Sequence, residues 1–226
     1  MNLQLITGPA VEPVSLTVAK NFLVLDASFT QDDGLVSALI AAARQYAENY
    51  THRAFFNQQW RLSLNNFPVW WPEHGTVSPV SRTEYLLGTY WMKQSAILLP
   101  NPTCVSVDSI TYVDTTNTEQ TLASSAYYVD TTAEPAIVVP VPGRYWPTTQ
   151  AMLPGSVQVL FTGGSYGDGV EVNTCPSTVT TAIQLLVSHW YANREASSAV
   201  SVKSIPFGVD VLLDTITVHC MDYNSH

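Results

Sequence analysis

The stretch Gly163-Gly164-Ser165-Tyr166-Gly167 comes nearest to covalent chemistry. It fits G-x-S-x-G, in which a serine on a sharp strand-to-helix turn attacks an acyl carbon. A strand pattern precedes it over residues 157–162. Asp168-Gly169-Val170-Glu171-Val172 follows, and no helical pattern starts before Pro176. A serine without that helix lacks the presentation that makes it a nucleophile. No Asp-then-His pair follows either, because His189 sits mid-helix among apolar neighbours and His219 lies in the tail. The stretch reads as a glycine-rich loop closing a strand, and no catalytic residue is expected.

Metal chemistry fares no better. His52, His74, His189, His219 and His226 never pair with another His or Cys at ligand spacing, apart from adjacent His219-Cys220. Adjacent residues point in different directions and rarely share one ion. Asp26, Asp32, Asp33 and Gly34 miss the calcium-loop spacing and its distal Glu. Cys104, Cys175 and Cys220 are odd in number, far apart and in no CxxC pair, which argues against a disulfide framework or zinc site and fits a reducing compartment. Neither a metal nor a cofactor is expected, and no phosphate loop or dinucleotide fingerprint is present. Trp70, Trp71, Tyr85, Tyr90 and Trp91 are the remaining chemistry-bearing cluster. Aromatics can stack on sugars, fill a core or line a protein interface. The stretch 67–90 is long and without periodicity, which favours a contact role, so an interface ranks above a core and a core above a sugar platform.

The elements that position these residues split into helical ends and a strand-rich middle. Ser15 caps a short helix over 16–25, with Val18, Ala19, Phe22 and Leu23 on one side. A long helix runs from Asp32 to Thr51, with Thr30 and Asp33 as an acidic capping box and Leu35, Leu39, Ala42, Tyr46 and Tyr50 at helical spacing. Strand alternation then governs 60–64, 96–99, 105–113, 126–130, 136–139 and 156–162. Helix returns at Pro176 and ends near Arg194-Glu195, with Val179, Ile183, Leu186 and Trp190 on one face. Residues 196–204 are Ser- and Ala-rich and read as a linker. The apolar Val211, Leu212 and Leu213 beyond it are expected to lie on an arm outside the folded body.

Composition bounds the function classes. The 226 residues are 46% hydrophobic and 12% charged, with a net charge of -9 and only 9 Lys+Arg. Low charge with ordinary hydrophobicity argues against disorder and suits a surface covered by neighbours. The acidic balance lacks the footprint of a chain that grips phosphates. MNLQLITGPAVEP has no basic and apolar leader pattern, and no stretch approaches the ~20 apolar residues of a membrane span. These features predict a soluble intracellular, non-enzymatic α+β protein.

The order of segments resembles the head–tail connector adaptor family of bacteriophages. The first matching stretch is Pro13-Val14-Ser15-Leu16-Thr17-Val18-Ala19-Lys20-Asn21-Phe22-Leu23. It continues through Asp32-Asp33-Gly34-Leu35-Val36 to Glu48-Asn49-Tyr50-Thr51-His52-Arg53, like the family's E-x-Y-T-x-R ending. The second lies in 176–195, ending His189-Trp190-Tyr191-Ala192-Asn193-Arg194-Glu195, and the third is Ile205-Pro206-Phe207-Gly208-Val209 with Leu212-Leu213. The Trp- and Tyr-rich stretch 67–98 departs from the commoner pattern. The resemblance implies a small helical bundle with an inserted antiparallel β-rich domain. Its parts would be 1–53 helical, 54–172 β-rich, 173–195 a helix completing the bundle, and 196–226 linker and arm. It further implies a structural virion protein of the neck, made in the host cytoplasm, with no membrane partner. Copies would form a ring of twelve under the portal protein, dock the next neck or tail completion protein, and pass double-stranded DNA without sequence-specific binding. Ile205, Phe207, Leu212 and Leu213 would anchor each copy to the portal or a neighbour, with Trp70, Trp71, Tyr85, Tyr90 and Trp91 at the neck or tail interface. The alternative is a carbohydrate- or receptor-binding β module of a phage tail or baseplate. A serine hydrolase using Ser165 stands as a third reading.

Overall fold

The computed structural model describes residues 2–68, 96–100, 103–193 and 207–218. Trp70, Trp71, Tyr85, Tyr90, Trp91, Ile205 and the expected linker 196–204 lie outside the described residues. The fold is α+β. The chain divides into two compact units, Met1–Gly8 with Gln58–Gly163, and Pro9–Asn57 with Gly164–His226.

The first unit is built from strands. They are β1 (Asn2–Thr7), β2 (Gln58–Leu64), β3 (Ile97–Leu99), β4 (Cys104–Val113), β5 (Glu119–Thr121), β6 (Tyr127–Asp130), β7 (Ala136–Pro140) and β8 (Val157–Gly163). One sheet runs β1-β2-β8-β4-β5 and the other β3-β7-β6. Every pairing is antiparallel. β8 shows the cause most plainly: Val157, Val159 and Phe161 are buried while Gln158, Leu160 and Thr162 are half-exposed, the period-2 pattern of a sheet with one dry face. Leu62, Ile110, Ile97, Leu99, Ala136 and Val138 join them in one core. Phe67 stacks on Trp146 at 4.9 Å and meets Tyr112 edge-on at 5.7 Å. Each fully buried side chain of this size contributes about 1.5–3 kcal/mol.

The second unit is helical, with α1 (Leu16–Phe22), α2 (Asp33–Thr51), α3 (Ser177–Ala192) and α4 (Phe207–Asp214). Val36, Ile40, Ala43 and Ala47 recur at helical spacing along α2 and pack with Val179, Ala182, Ile183, Leu186 and Val187 of α3. Ser15 caps α1, its hydroxyl accepting from Val18 N at 3.4 Å. At the end of α2, His52 takes the left-handed conformation, φ 53°, and its N–H returns to the Glu48 carbonyl. Tyr191 donates to Asp32 at 2.6 Å and ties α3 to the start of α2. Tyr50 donates to Asp214 at 2.8 Å, tying α2 to α4; that bond pushes the phenol up to about 12, so it stays a donor at neutral pH.

Four expectations are corrected. Thr30 and Asp33 form no capping box: Asp32 is the N-cap without a side-chain cap bond, and Asp33 is drawn instead into an ion pair with Lys20 at 2.8 Å. Pro176 stands at the N-cap position, outside the first helical turn. A strand, β1, precedes the first helix, outside the expected strand-rich middle. Finally, the apolar tail does not stand apart from the folded body, because Val209 and Leu213 are fully buried in the helical core. A single helix turn brings Val209 and Leu213 onto one face, which satisfies them within their own chain.

Leu213→Ala should therefore cost about 2–5 kcal/mol. Removing residues 205–226 should lower the melting temperature clearly. An unchanged thermal melt of the truncated chain would return the segment to the role of a free arm.

Candidate functional site

The serine loop is fixed by backbone bonds to the segment just before β2. Ser165 N donates to the Ala54 carbonyl at 2.9 Å, Tyr166 N to Phe55 O at 2.8 Å, and Asn57 N to Gly167 O at 2.9 Å. The approach is so close that a Cβ on Gly164 would sit 2.5 Å from Asn57 Oδ1. Gly169 has φ +77°, and a Cβ there would collide with Val11 and Phe56. Asp168 closes the turn by accepting from the N–H groups of Val170, Glu171 and Val172, which hold its carboxyl below the usual range.

Ser165 thus sits in a clasp, and α3 does not begin until Ser177. Its hydroxyl accepts from Arg53 Nη1 at 3.3 Å. A guanidinium has no lone pair to take the serine proton, so this neighbour cannot serve as a general base. The described cysteines offer no better nucleophile: burial pushes the Cys104 thiol up to about 11 and Cys175 up to about 12. Among the described residues no group of three metal-ligating side chains converges. No helix among them is long and apolar enough to cross a membrane.

Of the five described Lys and Arg side chains, three are consumed internally. Lys20 is buried and spends its three protons on Asp33, Phe29 O and Ala27 O. Arg44, also buried, pairs with Glu12 at 2.8 Å and with Glu48. Arg53 bonds Ile216 O at 3.4 Å as well as Ser165. The described cations left at the surface are Arg61 and Arg144. Exposed acids, by contrast, hold their own loops. Asp114 accepts from Thr116, Thr118 and Gln120, and the Thr116 hydroxyl is the main cause that lowers its carboxyl to about 2. Asp26 and Asp130 are lowered in the same way by Ser28 and Thr132. These carboxylates stay negative across physiological pH, so the described surface repels phosphate more than it grips it.

Among the described residues, exposed apolar side chains include three groups on loops and helices. Tyr145 and Met152 stand fully out of a loop whose inner side, Trp146, covers Phe67 and lines a groove with Asn65, Asn66 and Pro154. Val18 and Phe22 lie one turn apart on the outer side of α1, followed by exposed Val24. On α4, Val211 is exposed and Leu212 half-buried. Of the anchor residues read from the sequence, Leu213 is committed to its own core and Phe207 opens α4. Tyr145 and Met152 escaped the sequence reading. Their signal was available in a large apolar side chain set between Pro142-Gly143 and Pro147, and another beside Pro154-Gly155.

No family model and no curated protein matches the sequence. Solved structures do match in fold. One is a chain of the neck of an empty gene transfer agent particle computed with C6 symmetry, with TM-score 0.68, 19% identity and 98% of each chain covered. Another belongs to the virion of a native gene transfer agent particle, at TM-score 0.67 and 20% identity over 98% of each chain. A third comes from the neck of the native particle computed with C12 symmetry, at TM-score 0.61 and 21% identity over 98% of each chain. At this identity the likeness establishes a shared fold across both units.

Ser165→Ala should leave the fold intact, and neither it nor the wild type should release nitrophenol from an acyl ester. Turnover lost only in the variant would restore the hydrolase reading. Gly169→Ala should lower the melting temperature, since it adds both backbone strain and a collision. The Asp114 loop has the opposite pH sense from a raised base: a lowered carboxyl stabilises above its unfolded value of 3.8 and loses that contribution as pH falls through about 2. A carboxyl NMR titration of Asp114 should place its midpoint near that lower value.

Proposed function

We propose that this chain is a structural head–tail connector subunit of a phage-like particle, set in the neck as a ring of twelve beneath the portal protein. The observation that carries the reading is the fold shared over 98% of each chain with proteins of gene transfer agent necks, in structures computed with C6 and C12 symmetry. The charge distribution supports it. A channel for double-stranded DNA must not hold its cargo, and here Lys20 and Arg44 are buried while Asp26, Asp114, Asp130 and Asp168 face solvent as anions. The role needs no catalytic residue, which agrees with Ser165 serving as part of a clasp. The exposed Tyr145, Met152, Val18, Phe22 and Val211 offer places for the portal, a neighbouring copy and the next neck or tail protein to bind. Anchoring through the C-terminal segment, in this reading, uses Val211, Leu212 and Phe207, since Leu213 is already spent.

Native mass spectrometry of the full chain with and without the portal protein of the same particle tests the proposal. Twelve copies on the portal are expected. A closed dimer indifferent to the portal would overturn it. Double-stranded DNA should also fail to shift with the chain in a gel at low ionic strength, where a phosphate-gripping protein would bind best.

A further inference from the structure

The five-stranded sheet has two unlike edges, and they complement one another. At one edge lies β1, paired on one side with β2. It contains no charged residue and no proline, and Asn2–Leu5 runs in regular register, the only irregularity falling at Ile6. Leu5 and Ile6 are exposed on it. Among the described residues nothing pairs with its outer side, and the strand itself carries none of the usual guards against strand addition. The other edge is shorter and less regular. β4 is bulged twice, between Cys104 and Ser106 and between Val107 and Ser109, it carries Asp108, and β5 is only three residues long.

The charges follow the same division. Arg61 stands directly opposite Gln4 at the β1 edge, and no acid lies on β1 or β2. At the far edge Glu119 lies opposite Val113, beside the Asp114 turn, and no base lies on β4 or β5. The register puts Arg61 and Glu119 on the same face of the sheet. Arg61 is opposite Leu160, Leu160 is opposite Ser109, and Val113, two pleats on, is opposite Glu119. That face is the one turned away from the buried Leu62, Val159 and Ile110.

We infer that the β1 edge of each copy receives the β5 edge of the next copy, so that the sheet continues from subunit to subunit. This rests on the neck reading above and names one contact within its ring. The contact joins two different edges, which is the head-to-tail geometry that a cyclic assembly requires. Five alternating strands leave β1 and β5 running the same way, so the new ladder is parallel. Two strand spacings, about 10 Å, separate the backbones of Arg61 and the incoming Glu119, within the combined reach of their side chains. The ladder is short, so one contact is weak and the closed ring gains its strength from repetition.

Charge reversal tests this on the full chain. The readout is the protein concentration at half-assembly of the ring, measured by mass photometry with and without the portal protein. Arg61→Glu and Glu119→Arg should each raise it at least several-fold, and the double variant should restore it. Leu5→Lys should raise it without changing the thermal melt, because Leu5 is exposed. If wild-type rings form and all these variants assemble alike, the copies meet elsewhere: the edge contact is overturned and the neck reading stands. If the wild type forms no ring even with the portal, both fall.

Discussion

Arg44 is the residue on which the helical unit's geometry turns. Its guanidinium is buried in α2 and reaches Glu12 on one side and Glu48 on the other. Glu48 is in turn shared, its second oxygen accepting from Phe55 N at 2.9 Å. Phe55 O then accepts from Tyr166 N. The chain passes between the two units at Gly8/Pro9, Asn57/Gln58 and Gly163/Gly164. The network Glu12–Arg44–Glu48–Phe55–Tyr166 therefore fastens together, inside the helical unit, the three stretches next to those passages. A buried arginine between two carboxylates offsets its own desolvation only while both remain. Losing one partner leaves an uncompensated charge, which costs about 3–5 kcal/mol. The glycines of the serine loop follow from the same constraint, because the third passage must lie directly on the second.

This arrangement also accounts for how so acidic a chain uses its few cations. Lys20 closes the α1–α2 connection, Arg44 joins the passages, and Arg53 braces Ser165 and the end of α4 through Ile216. Each does structural duty within one unit. Among the described residues, Arg61 and Arg144 reach solvent beside a larger number of carboxylates, of which Asp26, Asp114, Asp130 and Asp168 are held ionised by their own turns. The acidic character of the described surface thus owes something to the burial of Lys20 and Arg44 as well as to the net charge of -9.

Much of the architecture was legible because its periods are local. α2 and α3 announce themselves through apolar residues at helical spacing, and β8 through strict alternation. β1 was not, because Asn2–Thr7 is an edge strand with five of its six positions exposed, so no buried face imprints a pattern on it. The tail was misjudged for the converse reason: Val209 and Leu213 show their purpose only against α2 and α3, which lie far away in sequence. The capping box failed because Asp33 answered to a buried lysine, a tertiary partner that outweighs a local hydrogen bond. Val211 and Leu212 stand out in the sequence as part of an apolar cluster beyond the linker, and in the structure Val211 is exposed and Leu212 half-buried. Tyr145 and Met152 do not stand out in this way, since loop apolar residues carry no period at all.

The constraints visible in this structure fall on packing and on chain crossings. An active site constrains particular side chains to fractions of an ångström, whereas a scaffold constrains the places where packing and chain crossings meet. The buried positions here are filled by Val, Ile, Leu, Phe and Ala, which exchange at modest cost when total volume is kept. The positions with least local freedom in the structure are few and dispersed: an arginine between two glutamates, and glycines pressed against backbone. Constraints of that kind are compatible with a fold shared over 98% of both chains at 19–21% identity, where no family model matches the sequence.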